Sequence, residues 1–250
     1  MKKIRILQHE RYGLGNFINM TPSIKWLYEK NNEKVDVYFS TDYVKECFLK
    51  SPYINILNNS TGTFDFSSNM VNKEIEDYKY IFNKITGQNW SSNYHTFIDE
   101  QPEFKKIPYE YVLILNGLGG FEFSDKPNWM GKKELNEEVF KVVKNNINIP
   151  LIFTGSIKDL KRTSWSHKYC NLTEVGDIRK SLSLIQNAKL IISNDTGLAH
   201  AAGAMNKNIL ILWKDTPFIK NQNPGLNTKY CYKKDWSDCI KEFLNQSVLI

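Results

Sequence analysis

Cysteine and histidine are scarce in this chain, with four of each among 250 residues. Cys47, Cys170, Cys231 and Cys239 show no Cys-x-x-Cys spacing and have no paired histidines nearby. That pattern argues against a metal site and a disulfide framework, and it predicts buried or free thiols in a reducing compartment. Long apolar runs are also missing: none approaches the roughly 18 residues that a membrane-spanning helix needs. Met1-Lys2-Lys3 leads directly into Ile4-Arg5-Ile6-Leu7, a run too short for a secretory signal. The expected location is cytoplasmic, with peripheral attachment at the inner membrane face as a variant. Nor is there a clustered basic stripe. The net charge of +6 is spread along the chain, which suits solubility or an anionic ligand better than a nucleic-acid surface.

What is present is an ordinary globular composition, 41% hydrophobic and 24% charged. A chain of this length buries one full core or two small ones. Two series of alternating strands and helices run along it. The first predicts a strand over 4–8, a loop over 9–15 and a helix to about residue 30. In that helix Phe17, Met20, Ile24 and Leu27 recur at helical spacing, and Thr21 caps a first-turn Pro22. A strand over 35–39, a short helix over 43–49 and a strand over 54–57 follow. From 58 to 108 the signal weakens, with short candidates at 75–82 and 94–98.

The second series starts with a strand over 111–115. It continues with a helix over 133–145, a strand over 151–154 and a short helix near 159–165. Next come a helix over 177–187, a strand over 190–193, a helix from 198 and a strand over 209–213. Trp236, Ile240, Phe243 and Leu244 mark a terminal helix. The two series predict an α/β protein with two doubly wound, parallel-sheet, Rossmann-like domains. Their expected bounds are 1–108 and 109–250, with the first domain reduced.

Such sheets bind ligands at the carboxyl ends of their strands, which directs attention to the loops 9–15, 116–120, 155–156 and 193–197. The last opens Ser193-Asn194-Asp195-Thr196-Gly197-Leu198-Ala199-His200, a strand, a polar turn and the start of an Ala-rich helix. Thr196 is placed to cap that helix, and Gly197 lets the backbone lie close to a ligand. The free N–H groups of the first turn suit a phosphate or diphosphate, which suggests a nucleotide-sugar site. Gly13-Leu14-Gly15 imitates a dinucleotide fingerprint but has Ile18 where the third glycine belongs and no acidic residue closing the next strand. That counts against classical NAD binding.

Gly13-Leu14-Gly15-Asn16 with Thr21-Pro22 resembles the amino-terminal signature of the lipopolysaccharide heptosyltransferases, glycosyltransferase family nine. The run 188–212, with Asn194-Asp195-Thr196-Gly197 and His200-Ala201-Ala202, is similar to that family's most distinctive segment. Lys126-Pro127-Asn128-Trp129 resembles its basic-tryptophan element, and Gly155 fits the pattern. The match is dense over 111–217 and the first thirty residues, and poor over 58–108. The resemblance implies a GT-B architecture with two domains facing a cleft. It also implies a nucleoside-diphosphate-sugar donor, ADP-heptose by suggestion, and inverting transfer with neither cofactor nor bound metal.

An inverting transfer needs a base for the acceptor hydroxyl and a site for the departing diphosphate. The helix from Thr196-Gly197 serves the second need through its N–H groups and dipole. By resemblance Lys126 adds a charge to the same phosphates. Asp195, a carboxylate beside a dianion, is expected to accept hydrogen bonds from donor-sugar hydroxyls or from the helix turn. An Asx cap without a ligand is its alternative role. His200 sits one turn into the helix and either points to the cleft or is structural. Asn116-Gly117 and Gly119-Gly120 either let the backbone approach the nucleotide or form a flexible turn. Gly155 joins the donor side, and Gly13 and Gly15 shape the acceptor-side loop. Trp129 reads as a core residue before a donor cover.

Asn16 departs from the family, whose catalytic base is an Asp at this position, because a neutral amide does not usefully accept a proton. Glu10 or His9 takes over, with Glu122 and Asp125 as further candidates. Otherwise the reaction runs on an acceptor needing little activation, or the protein binds a nucleotide sugar without transferring it. An anionic or lipid-linked glycan is the expected acceptor. A nucleic-acid base or a protein hydroxyl suits the charge but has no positive support. Besides the transferase, a non-catalytic nucleotide-sugar binder and an epimerase-like enzyme remain as rival readings.

Overall fold

The structure, a computed structural model, describes residues 3–10, 13–70, 78–100, 107–117, 134–175, 178–213, 225, 227–232 and 235–248. They fall into two compact units, one from the described residues up to Glu100 and one from 107 onward.

The first unit runs β1 (Arg5–Gln8), α1 (Leu14–Ile18), α2 (Thr21–Asn31), β2 (Val35–Phe39), α3 (Asp42–Lys45), β3 (Ile54–Ile56), β4 (Phe66–Ser67) and α4 (Tyr78–Thr86). Its parallel sheet has the order β3-β2-β1-β4. Phe17 anchors the core, with ring contacts to Phe39 at 4.9 Å and Phe48 at 5.0 Å. The weakly patterned stretch is used for packing: Phe82 meets Trp26, and Phe97 meets Tyr53 and Phe48.

The helix expected to run unbroken to residue 30 is two helices, and the reason is chemical. Pro22 has no N–H for the Ile18 carbonyl. The Thr21 hydroxyl donates to that carbonyl instead, at 2.7 Å, and accepts the Phe97 amide at 2.9 Å. Thr21 is therefore the first residue of α2, with Met20 in the cap position, and not the expected cap itself.

The second unit runs β5 (Val112–Leu115), α5 (Glu137–Asn145), β6 (Leu151–Gly155), α6 (Ile157–Arg162), β7 (Leu172–Val175), α7 (Ile178–Asn187) and β8 (Leu190–Ser193). It closes with α8 (Gly197–Ala204), β9 (Ile209–Leu212), β10 (Thr228–Cys231) and α9 (Ser237–Val248). All six strands are parallel, in the order β10-β9-β8-β5-β6-β7, the Rossmann arrangement. Every residue of β5, β6, β8 and β9 is buried. That explains why these four read as continuous apolar runs, as strands covered on both faces do. β4, β7 and β10 lie at sheet edges and carry polar residues, so the same criterion misses them.

A core of Val112, Ile114, Val139, Phe140, Phe153, Trp236, Ile240 and Phe243 joins α5 and α9 to one face of this sheet. No described helix is long and apolar enough to cross a membrane. One expectation is corrected. Cys231, closing β10, and Cys239, in the first turn of α9, form a disulfide with Cα atoms 6.2 Å apart. Spacing rules overlook it because the partners meet only when α9 folds back beside its own strand. Cys47 and Cys170 keep free thiols, and burial pushes both up, Cys170 to about 12, so both stay protonated.

The short disulfide loop sets its expected value. Closing about nine residues stabilises a protein by roughly 2–3 kcal/mol through the unfolded chain. Cys239→Ser is expected to lower the unfolding free energy measured in urea by that amount and to make the midpoint insensitive to dithiothreitol. A parent protein whose midpoint is also unmoved by reductant contradicts the bond.

Candidate functional site

In the second unit the strand order reverses between β5 and β8, and that reversal opens a crevice at their carboxyl ends. The two strands stay in register to Leu115 and Ser193, after which both chains turn away. The Asn194 amide donates to the Leu115 carbonyl at 3.3 Å. Its side-chain Nδ2 donates to the Gly117 carbonyl at 2.9 Å and ties the two loops together. Asn194 is fully buried, and its Oδ1 has no partner among the described residues.

Thr196 then caps α8 as its residue type predicts: its backbone is extended and its Oγ1 accepts the Ala199 amide at 3.3 Å. The amides of Ala199 and His200 return to the Thr196 carbonyl. Those of Gly197 and Leu198 precede any intrahelical acceptor, the usual state of a first turn. Both residues are half-buried rather than sealed. Positive helix potential and amides without an intrahelical acceptor therefore meet in a crevice, an arrangement suited to a phosphate.

Gly117 faces this turn closely. A Cβ there would lie 3.5 Å from the Thr196 methyl and 3.8 Å from Asp159 Oδ2. Asp159 arrives from the first turn of α6, just after β6, which brings a third strand end to the crevice. Ser156 and Asp159 form a capping box for α6, and Asp159 Oδ1 also receives Arg162 Nη2 at 2.7 Å. Gly155 is required by that box, since a Cβ would sit 3.1 Å from Asp159 Cβ. The Ser-x-x-Asp pattern is a capping signature legible in sequence, and Asp159 is the residue that sequence reasoning missed here. Asn116 is fully buried, exchanging hydrogen bonds with the Leu135 backbone at 2.9 and 3.0 Å, so its backbone and not its side chain borders the crevice.

Asp195 and His200 face each other across the first turn, with Oδ1 3.6 Å from Nε2. His200 Nδ1 is buried without a partner among the described residues. Burial, and then the Asp195 charge, raise the Tyr232 phenol above its ordinary value. Lys126 lies outside the described residues, as do Gly119, Gly120, Glu122, Asp125 and Trp129.

The first unit has its own reversal, between β1 and β4. Gln8, fully buried, accepts both the amide and the hydroxyl of Thr41 through Oε1 and donates to the His9 carbonyl through Nε2. The His9 amide donates to Ser68 Oγ at 2.9 Å, which fastens β1 to the segment after β4. His9 is thereby held at the carboxyl end of β1, half-buried, while Glu10 is exposed. Asn16 lies half-buried in α1, between the buried Gly15 and Phe17. Gly13 stands against Tyr43: a Cβ there would come within 3.0 Å of the phenol oxygen, which also accepts the Leu14 amide. Among the described residues no group of three or more His, Cys, Asp or Glu could hold a metal ion.

Residues 137–243 match the model of glycosyltransferase family 9 (heptosyltransferase), which bears out the resemblance read from the sequence. Among solved structures, the chain is similar to the Escherichia coli ADP-heptose LPS heptosyltransferase II, with a TM-score of 0.71, 13% identity and 99% of each chain covered. The E. coli heptosyltransferase WaaC, solved with ADP, has a TM-score of 0.68 and 11% identity, covering 98% of this chain and all of that one. The iron-containing dodecameric glycosyltransferase TibC of enterotoxigenic E. coli has a TM-score of 0.64 and 11% identity, covering 99% of this chain and 77% of its own. A comparison with curated protein sequences finds no match. The fold is that of these GT-B enzymes.

The Gly13–Tyr43 contact predicts a coupled pair. Gly13→Ala is expected to cost about 1 kcal/mol by crowding the phenol oxygen, and Tyr43→Phe in the same protein to recover most of it. Chemical unfolding of the four proteins measures the coupling. Strictly additive losses would show that the contact carries no energy.

Proposed function

We propose that this protein is an inverting glycosyltransferase that moves a heptose-like sugar from a nucleoside diphosphate to a hydroxyl acceptor. One observation carries the reading: a capped helix opens at the switch point of a Rossmann sheet, with Asp195 beside its first amides. The diphosphate rests on the Gly197 and Leu198 amides, and Lys126 adds charge to it. Asp195 is repelled by the phosphates and so accepts hydrogen bonds from the sugar. In the transfer the acceptor oxygen bonds the anomeric carbon while the bond to the β-phosphate oxygen breaks. The leaving diphosphate keeps that electron pair and is stabilised by the helix.

The acceptor proton needs a base, and Asn16 is not one. His9 and Glu10 stand on the loop after β1, and His9 is the better placed because its backbone is fastened on both sides. ADP-heptose is the donor we favour, since the related WaaC was solved with ADP. An anionic or lipid-linked glycan is the acceptor, met in the cytoplasm or at the inner membrane face. The transfer needs no metal, so EDTA leaves its rate unchanged.

A second reading, a nucleotide-sugar binder without turnover, is favoured by Asn16 alone. Donor binding without product over an acceptor panel, unchanged in Asn16→Asp, would select it.

Asp195→Ala is expected to weaken sugar-nucleotide binding at least tenfold, about 1.4 kcal/mol or more, with its unfolding midpoint near the parent value. Calorimetry with ADP-, UDP-, GDP- and CDP-sugars measures this. Parent and variant binding every donor equally would remove Asp195 from the site.

A further inference from the structure

Tyr232 follows directly on Cys231 at the carboxyl edge of β10, and it is 42% exposed. Three bonds or contacts fix its position. The Cys231 carbonyl accepts the Trp213 amide at 2.9 Å, which holds the edge of β10 level with that of β9. The disulfide ties Cys231 to α9. The Tyr232 ring stacks on Tyr230, with centroids 5.6 Å apart and planes 6° from parallel.

Strand register carries this edge across to the crevice. Cys231 pairs with Leu212, and Ile211 pairs with Ser193, two residues before Asp195. Cys231 turns into the core shared with α9, so the stacked tyrosines take the other side of β10 by strand alternation. On that side the turn before β10 lies against α8: a Cβ on Gly225 would come 2.7 Å from Gly203 Cα. Tyr232 therefore stands towards the start of α8, and Asp195 at its first turn. Burial and the Asp195 charge both oppose ionisation of the phenol, which keeps it a hydrogen-bond donor at neutral pH.

We propose that Tyr232 is a specificity residue for the donor sugar, its phenol hydroxyl and the Asp195 carboxylate taking neighbouring hydroxyls of one sugar ring. This rests on the reading of the crevice as a nucleoside-diphosphate-sugar site. A carboxylate only accepts and a phenol O–H donates, whereas each sugar hydroxyl does both. Two hydroxyls placed between them satisfy both protein groups at once, and a sugar lacking one leaves a polar group unpaired. Such an omission is what a site built from hydrogen bonds rejects most strongly. The stacked pair supplies a rigid support, since a tyrosine has only two side-chain torsions to lose.

The test compares Tyr232→Phe, which keeps the stack, and Tyr232→Leu, which removes it, with the parent protein. Each is titrated calorimetrically with ADP-heptose and ADP, and with the matching UDP, GDP and CDP pairs. Tyr232→Phe is expected to lose about fivefold to tenfold in affinity for the sugar nucleotide, the effect of one hydrogen bond. Its affinity for the matching diphosphate stays within about twofold of the parent. Tyr232→Leu loses more on the sugar nucleotide and still spares the diphosphate. Equal losses on both ligands would make Tyr232 a structural prop and overturn the assignment, as would unchanged affinities in both variants. Either result leaves the donor reading standing. A parent protein that binds no sugar nucleotide while folded overturns the donor reading and the role of Tyr232 together.

Discussion

In an open parallel sheet with helices on both faces the crossovers run in two directions, and where the direction reverses two strand ends part. This protein has such a reversal in each unit, at β1/β4 and at β5/β8. Each gap exposes backbone at its floor and needs a polar tie. His9 to Ser68 makes one, and Asn194 to Gly117 makes the other. Among the described residues, the candidate site residues of each unit gather around these two openings.

The two openings differ in electrostatic character. In the second unit the donors are fixed: helix amides of the α8 turn, whose position Thr196 sets, and no charge needs to be buried to hold an anion. The nearby Asp159 is prevented from opposing an anion because Arg162 takes its outer oxygen and Ser156 its inner one. In the first unit the fixed groups are neutral. Gln8, Thr41 and Ser68 hold the frame, and the titratable His9 and Glu10 stand beside it. The second sheet's opening thus presents fixed backbone donors, and the first sheet's opening carries the titratable side chains.

Asn16 sharpens this division. In the resembling family the equivalent position bears the base, and here its helix is only five residues long, ended by the break that Pro22 imposes. The local frame also includes the Tyr43 contact at Gly13 and the Thr21 hydroxyl at Ile18.

Sequence by itself determined the fold class, the central strands and the α8 turn. Buried parallel strands must be continuously apolar, and Thr196-Gly197 has the residue types that a capped helix start requires. It also revealed the Asn16 departure, which needs no coordinates. Tertiary structure alone decided the edge strands β4, β7 and β10, whose polar residues satisfy one exposed flank and carry no periodic signal. It alone paired Cys231 with Cys239 and set Asp159 against Gly155 and Gly117. It alone brought Tyr232 within reach of the Asp195 charge, 37 residues earlier in the chain. The physical reason is common to all these cases. Local pattern encodes which groups are buried or capped, whereas a meeting of distant side chains depends on strand order, which no single segment contains.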